Sequence, residues 1–157
     1  MSTDKSRTVR RSLNWVVFAA SIAMALAAFI GLRVVHGYRL KQTAGELITL
    51  AQQQEQASEW LKAAEYLDRY LHLRSNDVKA RGRMALDFGR YAKDAKAWMP
   101  KQQAIDLHYR ALAGGDESQE TDLRLSLLDL LIEHGRFPEA EKEAKRVLDI
   151  EPDNAKA

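Results

Sequence analysis

Apolar residues are laid out along this chain in two ways. Residues 15–32 carry no charge (WVVFAASIAMALAAFIGL), and Val34 and Val35 extend that run past Arg33. At the rise of an α-helix, residues 15–35 reach roughly 31 Å, close to the thickness of a bilayer's hydrocarbon core. The pattern predicts a membrane-spanning helix within residues 13–38, with a basic tail at 1–12 before it. Arg33 sits in the last turn, where its long stem can carry the guanidinium to the headgroups, and Trp15 and Tyr38 stand where interfacial aromatics are found. A cleavable leader shares the basic start, the apolar run and Ala25-Leu26-Ala27. The uncut run is already long enough to anchor, and a buried soluble helix would carry charge on one face, so the anchor is preferred.

Two details of the run bear on its partners. Ala19, Ala23, Ala27 and Gly31 recur at four-residue spacing on one face, which would let a second helix approach closely and make a homodimer seam. Four basic residues precede the run and three follow it closely, a small margin that favours a cytoplasmic N-terminus with the remainder outside the membrane.

From residue 42 onward apolar residues recur at helical spacing between charged ones, and strand alternation is almost absent. Leu47, Leu50 and Ala51 share a face, as do Trp60, Ala63, Leu67, Tyr70 and Leu71 after a break; Leu127 and Leu128 are followed by Phe137, Ala140, Ala144, Val147 and Leu148 in the same manner. Alanines alternate with bulky residues, as nested antiparallel helices require. The segment Gly135-Arg136-Phe137-Pro138-Glu139-Ala140, closing on Pro152-Asp153-Asn154, carries a turn glycine, an aromatic two residues on, an alanine three further and a terminating proline. Ala51 and Ala85 lie 34 residues apart. In these residues the chain resembles the tetratricopeptide repeat, a helix-turn-helix unit of that period.

The resemblance implies an all-α fold in which the spanning helix is followed by a short α-solenoid of about three hairpins, in domain 42–157, with units near 44–77, 78–118 and 121–154. The first unit ends Arg74-Ser75-Asn76-Asp77 where the family usually has proline. The second holds seven extra residues between Ala85 and Ala104, so an insertion is expected near 91–103, with an enlarged loop at 93–100 and Pro100 opening the next helix. Each hairpin has an apolar face that it cannot bury alone, and three is about the minimum for a stable stack. An apolar outer edge around Val147 and Ile150 would then need either a partner chain or a further unit to cover it.

Charge divides the chain at the same place. Lys5, Arg7, Arg10, Arg11, Arg33, Arg39 and Lys41 stand against Asp4, a net +6 over residues 1–41, which leaves −4 for residues 42–157 out of the overall +2. The repeat region therefore lacks the basic face that phosphate neutralisation needs, and no nucleic-acid partner is expected. With no cysteine, disulfides, thiolate metal sites and cysteine catalysis are excluded. His36, His72, His108 and His134 are scattered without ligand spacing and read as structural or solvated groups. No phosphate loop, nucleophile elbow or zinc-protease motif is present. No catalytic residue, cofactor or metal is expected, and the chain is not read as an enzyme.

What remains is a surface. In the repeat family the first helices of successive units line a concave groove that takes a peptide or protein segment. The positions that the resemblance maps to it are Gln52, Glu55 and Gln56 in unit one, Lys79, Leu86 and Arg90 in unit two, and Asp122, Leu125, Asp129 and Glu133 in unit three. Ile48 with Gln52 and Gly82 with Leu86 stand where chaperone-binding members carry a Lys and Asn carboxylate clamp, so that mode is not expected. Lys79 and Arg90 beside Leu86 suit an acidic-hydrophobic segment. Trp98-Met99 in the insertion is a second candidate contact. The expectation is a single-pass protein, of the type found in bacterial inner membranes, that acts as an adaptor or scaffold for protein–protein interaction. The alternatives are a structural subunit of a larger membrane complex, and the front part of a longer repeat protein.

Overall fold

A computed structural model describes the backbone of residues 15–115 and 117–156, with side chains described from residue 19 except at 34–41. The basic tail at 1–12 lies outside the described residues. Among the described residues six α-helices follow in order, α1 (Trp15–Gln56), α2 (Trp60–Leu73), α3 (Val78–Asp94), α4 (Trp98–Leu112), α5 (Glu120–Glu133) and α6 (Phe137–Ile150), with a 3-10 turn at Glu117–Gln119 ahead of α5. Among the described residues the structure is all-helical. The chain divides into two compact units, Met1–Leu40 and Lys41–Ala157.

In the first unit, every described side chain from residue 19 to 33 is exposed, Ile22, Met24, Leu26, Phe29, Ile30 and Leu32 among them. Ala19, Ala23, Ala27 and Gly31 share that exposure, and nothing lies within 4 Å of a Cβ placed on Gly31. The Arg33 guanidinium lies over the Phe29 ring, one turn back, at 5.5 Å. Among the described residues no helix is long and apolar enough to cross a membrane. The side chains at both ends of the expected span, Trp15 and Tyr38, lie outside those described.

The second unit is a stack of three helical hairpins. The end of α1 pairs with α2, α3 with α4, and α5 with α6, and α3 also packs on α2 and α5. Ala51, Leu67 and Ala80 form one cluster with Ile48, Tyr70 and Met84 around it. Leu50, expected on the inner face, is exposed, and Ile48 turns inward in its place. A larger core joins Ala92, Ala104, Ile105, Leu127, Leu128, Leu130, Leu131 and Ala140. Helix α5 buries leucines on more than one face because it lies between α3 and α4 on one side and α6 on the other.

Turns follow local chemistry. Asp77 caps α3, its Oδ1 accepting from the Ala80 amide at 2.9 Å while its Oδ2 accepts from the Tyr70 hydroxyl at 2.6 Å, so one side chain both starts α3 and ties it to α2. Gly135 takes φ +74° after α5, the left-handed conformation that favours glycine at a helix end. Glu143, fully buried on α6, accepts from Arg124 of α5 at 2.6 Å and from Arg146 at 2.7 Å, so its charge is paired on two sides.

Three further expectations change. The seven extra residues form no enlarged loop: α3 runs to Asp94 and α4 opens at Trp98, so the insertion lengthens helices and leaves residues 95–97 as the connection. Pro100 sits inside the first turn of α4 rather than at its start, where its missing amide hydrogen costs nothing because those first amides have no helical partner. Val147 is fully buried in the α5–α6 hairpin, whereas Phe137, Leu148 and Ile150 are exposed, because α6 packs extensively only on α5.

Candidate protein-binding surface

The first helices bring their polar residues into lateral contact. Glu55 of α1 accepts from Arg83 of α3 at 2.7 Å, and Lys93 of α3 donates to Asp129 of α5 at 2.5 Å. Glu133 is held by Lys101 of α4 at 2.9 Å. Arg90 donates to Asp87 at 3.1 Å and its guanidinium lies 4.6 Å from the centre of the Trp60 ring. Four charged residues of the expected groove, Glu55, Arg90, Asp129 and Glu133, are thus engaged within the fold. Leu86 is half-buried against Ala85, Ala111 and Leu123, and Leu125 against the large leucine core. Gln52, Gln56 and Lys79 are exposed, as is Asp122.

Behind this face lies a buried acid. Asp87 has one carboxylate oxygen on Arg90, and the other, Oδ2, has no hydrogen-bond donor. Burial, reinforced by a hydrogen bond and by repulsion from Glu55, pushes its carboxyl up to about 7, against the pull of Arg90 and Arg83. The charge on α3 at this place was visible in the sequence as an aspartate between Leu86 and Phe88; only the fold shows it meeting a second carboxylate.

The opposite side of α3 is organised around His108. Its ring is fully buried, with Nδ1 at 2.7 Å from the Ala104 carbonyl and Nε2 at 3.0 Å from the Ser126 hydroxyl. Nδ1–H donates to the carbonyl, which leaves Nε2 to accept from Ser126. Desolvation holds the imidazole down at about 4, so it is neutral. Gly89 makes room: a Cβ there would fall 2.7 Å from His108 Cε1. His72 donates from Nδ1 to the Asp68 carbonyl on the surface, and His36 has no described side chain. Among the described residues no three metal-ligating side chains converge.

The second helices leave an opening. Helices α2 and α4 make no extensive contact with each other, and the space between them, floored by α3, is a cleft of about 370 Å³. Leu61 and Ala64 of α2, Met84 and Phe88 of α3 and Leu107 of α4 line it, with Glu65, Asp68, Arg69 and Gln103 at its edges. Sequence periodicity points only weakly to this cleft. Leu61 and Ala64 widen the apolar stripe of α2 beyond what one neighbouring helix can cover, and that width is the signal. Trp98 and Met99, expected on a loop, are instead the first two residues of α4, both exposed.

Comparison with known proteins finds no family model that matches the chain and no curated protein that matches it.

Proposed function

We propose that this chain is a single-pass, membrane-anchored helical-repeat adaptor of tetratricopeptide type, which holds a protein partner at a membrane surface. The observation that carries the reading is the contrast in cover. The hairpin stack buries three apolar clusters between its helices and leaves only scattered apolar side chains exposed, whereas the described side chains of residues 19–33 are apolar, save Ser21 and Arg33, and all exposed. A helix that is apolar all round needs a non-aqueous environment, and lipid supplies it. Anchoring in the inner membrane of a bacterium with the repeats outside would confine the stack to a plane and raise its effective concentration toward other membrane components.

The test is extraction and accessibility. Full-length protein should remain with membranes through an alkaline carbonate wash and enter solution only with detergent, and protease added outside should digest residues 42–157. Release by carbonate would overturn the anchor. A photo-crosslinking residue on the stack should then join it to a protein in native membranes.

A second reading, a structural subunit packed within a larger assembly, is favoured by the exposed Trp98, Met99, Ile132 and Phe137. Stable self-association or co-purification through those residues in nanodiscs, lost on Trp98→Asp, would support it over the adaptor. The small-residue face of α1 would serve either reading as a homodimer seam, read out by the oligomeric state of Ala23→Leu.

A further inference from the structure

The geometry points to the α2–α4 cleft as a docking site for a basic amphipathic helix of a protein partner, a proposal that rests on the adaptor reading and names the partner's chemistry. The cleft's floor is apolar, and a volume of about 370 Å³ holds a few aliphatic side chains rather than a whole segment. That matches a helix laying one apolar face into a groove through side chains spaced i, i+3 or i+4, and i+7. Met84 in the floor adds an unbranched, adaptable side chain that can follow different shapes.

Charge selects the sign of the partner. Glu65 is exposed and makes no ion pair or hydrogen bond among the described residues, and Asp68 has only a loose contact of 3.7 Å to His72. Arg69, the cation of the rim, has its guanidinium 5.7 Å from the centre of the Tyr66 ring, which satisfies part of its charge. On the first-helix face three of the four acids are paired instead, Glu55 with Arg83, Asp129 with Lys93 and Glu133 with Lys101, and Asp122 alone is exposed without such a pair among the described residues. Lysine or arginine flanking an apolar stripe would therefore find available carboxylates at the cleft. An anionic lipid surface or an acidic segment would meet repulsion there.

The experiment uses the full chain in a neutral detergent and a fluorescent Leu/Lys peptide of about 14 residues patterned for one apolar helical face, read by anisotropy. The matched probe replaces every Lys with Glu. Binding of the Leu/Lys peptide that weakens with salt, little binding of the Leu/Glu peptide, and a loss of about tenfold in affinity for the double variant Glu65→Lys, Asp68→Lys are expected. Gln103→Trp, which fills the cleft without altering its charge, should weaken binding as well; neither variant touches a buried core position. Equal binding of both peptides, no binding of either, or affinity unchanged in both variants would overturn the proposal. A photo-crosslinker at Gln103 and another at Lys79 in native membranes separate this failure from that of the adaptor. Crosslinks from Lys79 alone would leave an adaptor that uses its first-helix face and sink the cleft, whereas folded protein that crosslinks from neither position would sink both.

Discussion

The two sides of α3 bury one titratable group each, and they treat it differently. Toward α1 stands Asp87, with a single arginine on one oxygen, no donor on the other and Glu55 as a neighbouring carboxylate. Toward α4 and α5 stands His108, whose two nitrogens both find partners and whose ring fits a notch left by Gly89. A polar group with its hydrogen bonds complete fixes the register of three helices; an acid left half-satisfied settles by keeping its proton near neutral pH. One junction is a clasp, the other a compromise.

The largest effect expected from breaking this contrast is at the clasp. His108→Ala opens a cavity between α3, α4 and α5 and leaves the Ser126 hydroxyl without its acceptor, a loss of about 3 kcal/mol in a denaturant melt. Asp87→Ala at pH 8 should cost much less, because it also removes a badly solvated charge. Equal losses at both sites would show that the difference in hydrogen bonding does not govern stability.

Next in size is the response to pH, where the two groups act with opposite sign. Between the unfolded value of 3.8 and the folded value of about 7, the native state holds a proton on Asp87 that the unfolded state has lost, so stability falls as pH rises through that window and levels off above it. His108 is held down at about 4 from 6.5, so the unfolded state binds the extra proton there; its contribution is complete above 6.5 and is lost as pH falls through 4. Each group contributes a slope of at most about 1.4 kcal/mol per pH unit, and between pH 4 and 6.5 the slopes offset. Asp87→Asn should expose the histidine, giving stability that rises with pH over that range, and His108→Gln should expose the acid, giving stability that falls toward pH 7. Melts of the three proteins from pH 4 to 8 decide it; parallel profiles would refute the opposition.

Much of this arrangement could be read from the chain, and the part that could not has a physical cause. Helical spacing gave the hairpins of 42–157 because apolar residues at that period must face a neighbour, and Ala51, Ala63, Leu67, Ala140 and Val147 are buried accordingly. The length of the inserted segment was legible but its conformation was not, since extra residues can enlarge a loop or extend the helices on either side, and residues from Tyr91 to Asp94 and from Trp98 onward simply continue them. Phe137 illustrates the same limit: its place in the motif implies a buried aromatic, yet burial depends on which helix lies alongside α6. Among the candidate site residues, exposure at Gln52, Gln56 and Lys79 follows from local pattern. The pairings of Asp129 with Lys93 and Glu133 with Lys101 join residues 36 and 32 positions apart and have no sequence signature.

A smaller effect tests whether the clasp depends on the missing side chain at residue 89. Gly89→Ala places a Cβ 2.7 Å from His108 Cε1 and 3.1 Å from the Ser126 hydroxyl. In an exposed helix that change would stabilise by about 1 kcal/mol through helix propensity. Here the steric penalty should reverse the sign, for a net loss of about 1 kcal/mol. The same substitution in a His108→Ala background should recover the helix-propensity gain, because the ring that it would strike is gone; a thermodynamic cycle over the four proteins checks the coupling.

The smallest stability change is expected at Lys93, which links the clasp to the first-helix face. Its ion pair with Asp129 lies at the surface, with the carboxylate side chain 56% exposed, so Lys93→Met should shift stability by no more than about 0.5 kcal/mol. The same cation is nevertheless one of the charges that hold His108 neutral, behind desolvation as the principal cause. Removing it should let the His108 value rise slightly from about 4, followed by NMR titration of the ring protons, while the melting curve barely moves. A large loss of stability with no movement of the histidine would mean that the lysine acts through packing of its stem and not through its charge, and the electrical connection between the two sides of the stack would have to be abandoned.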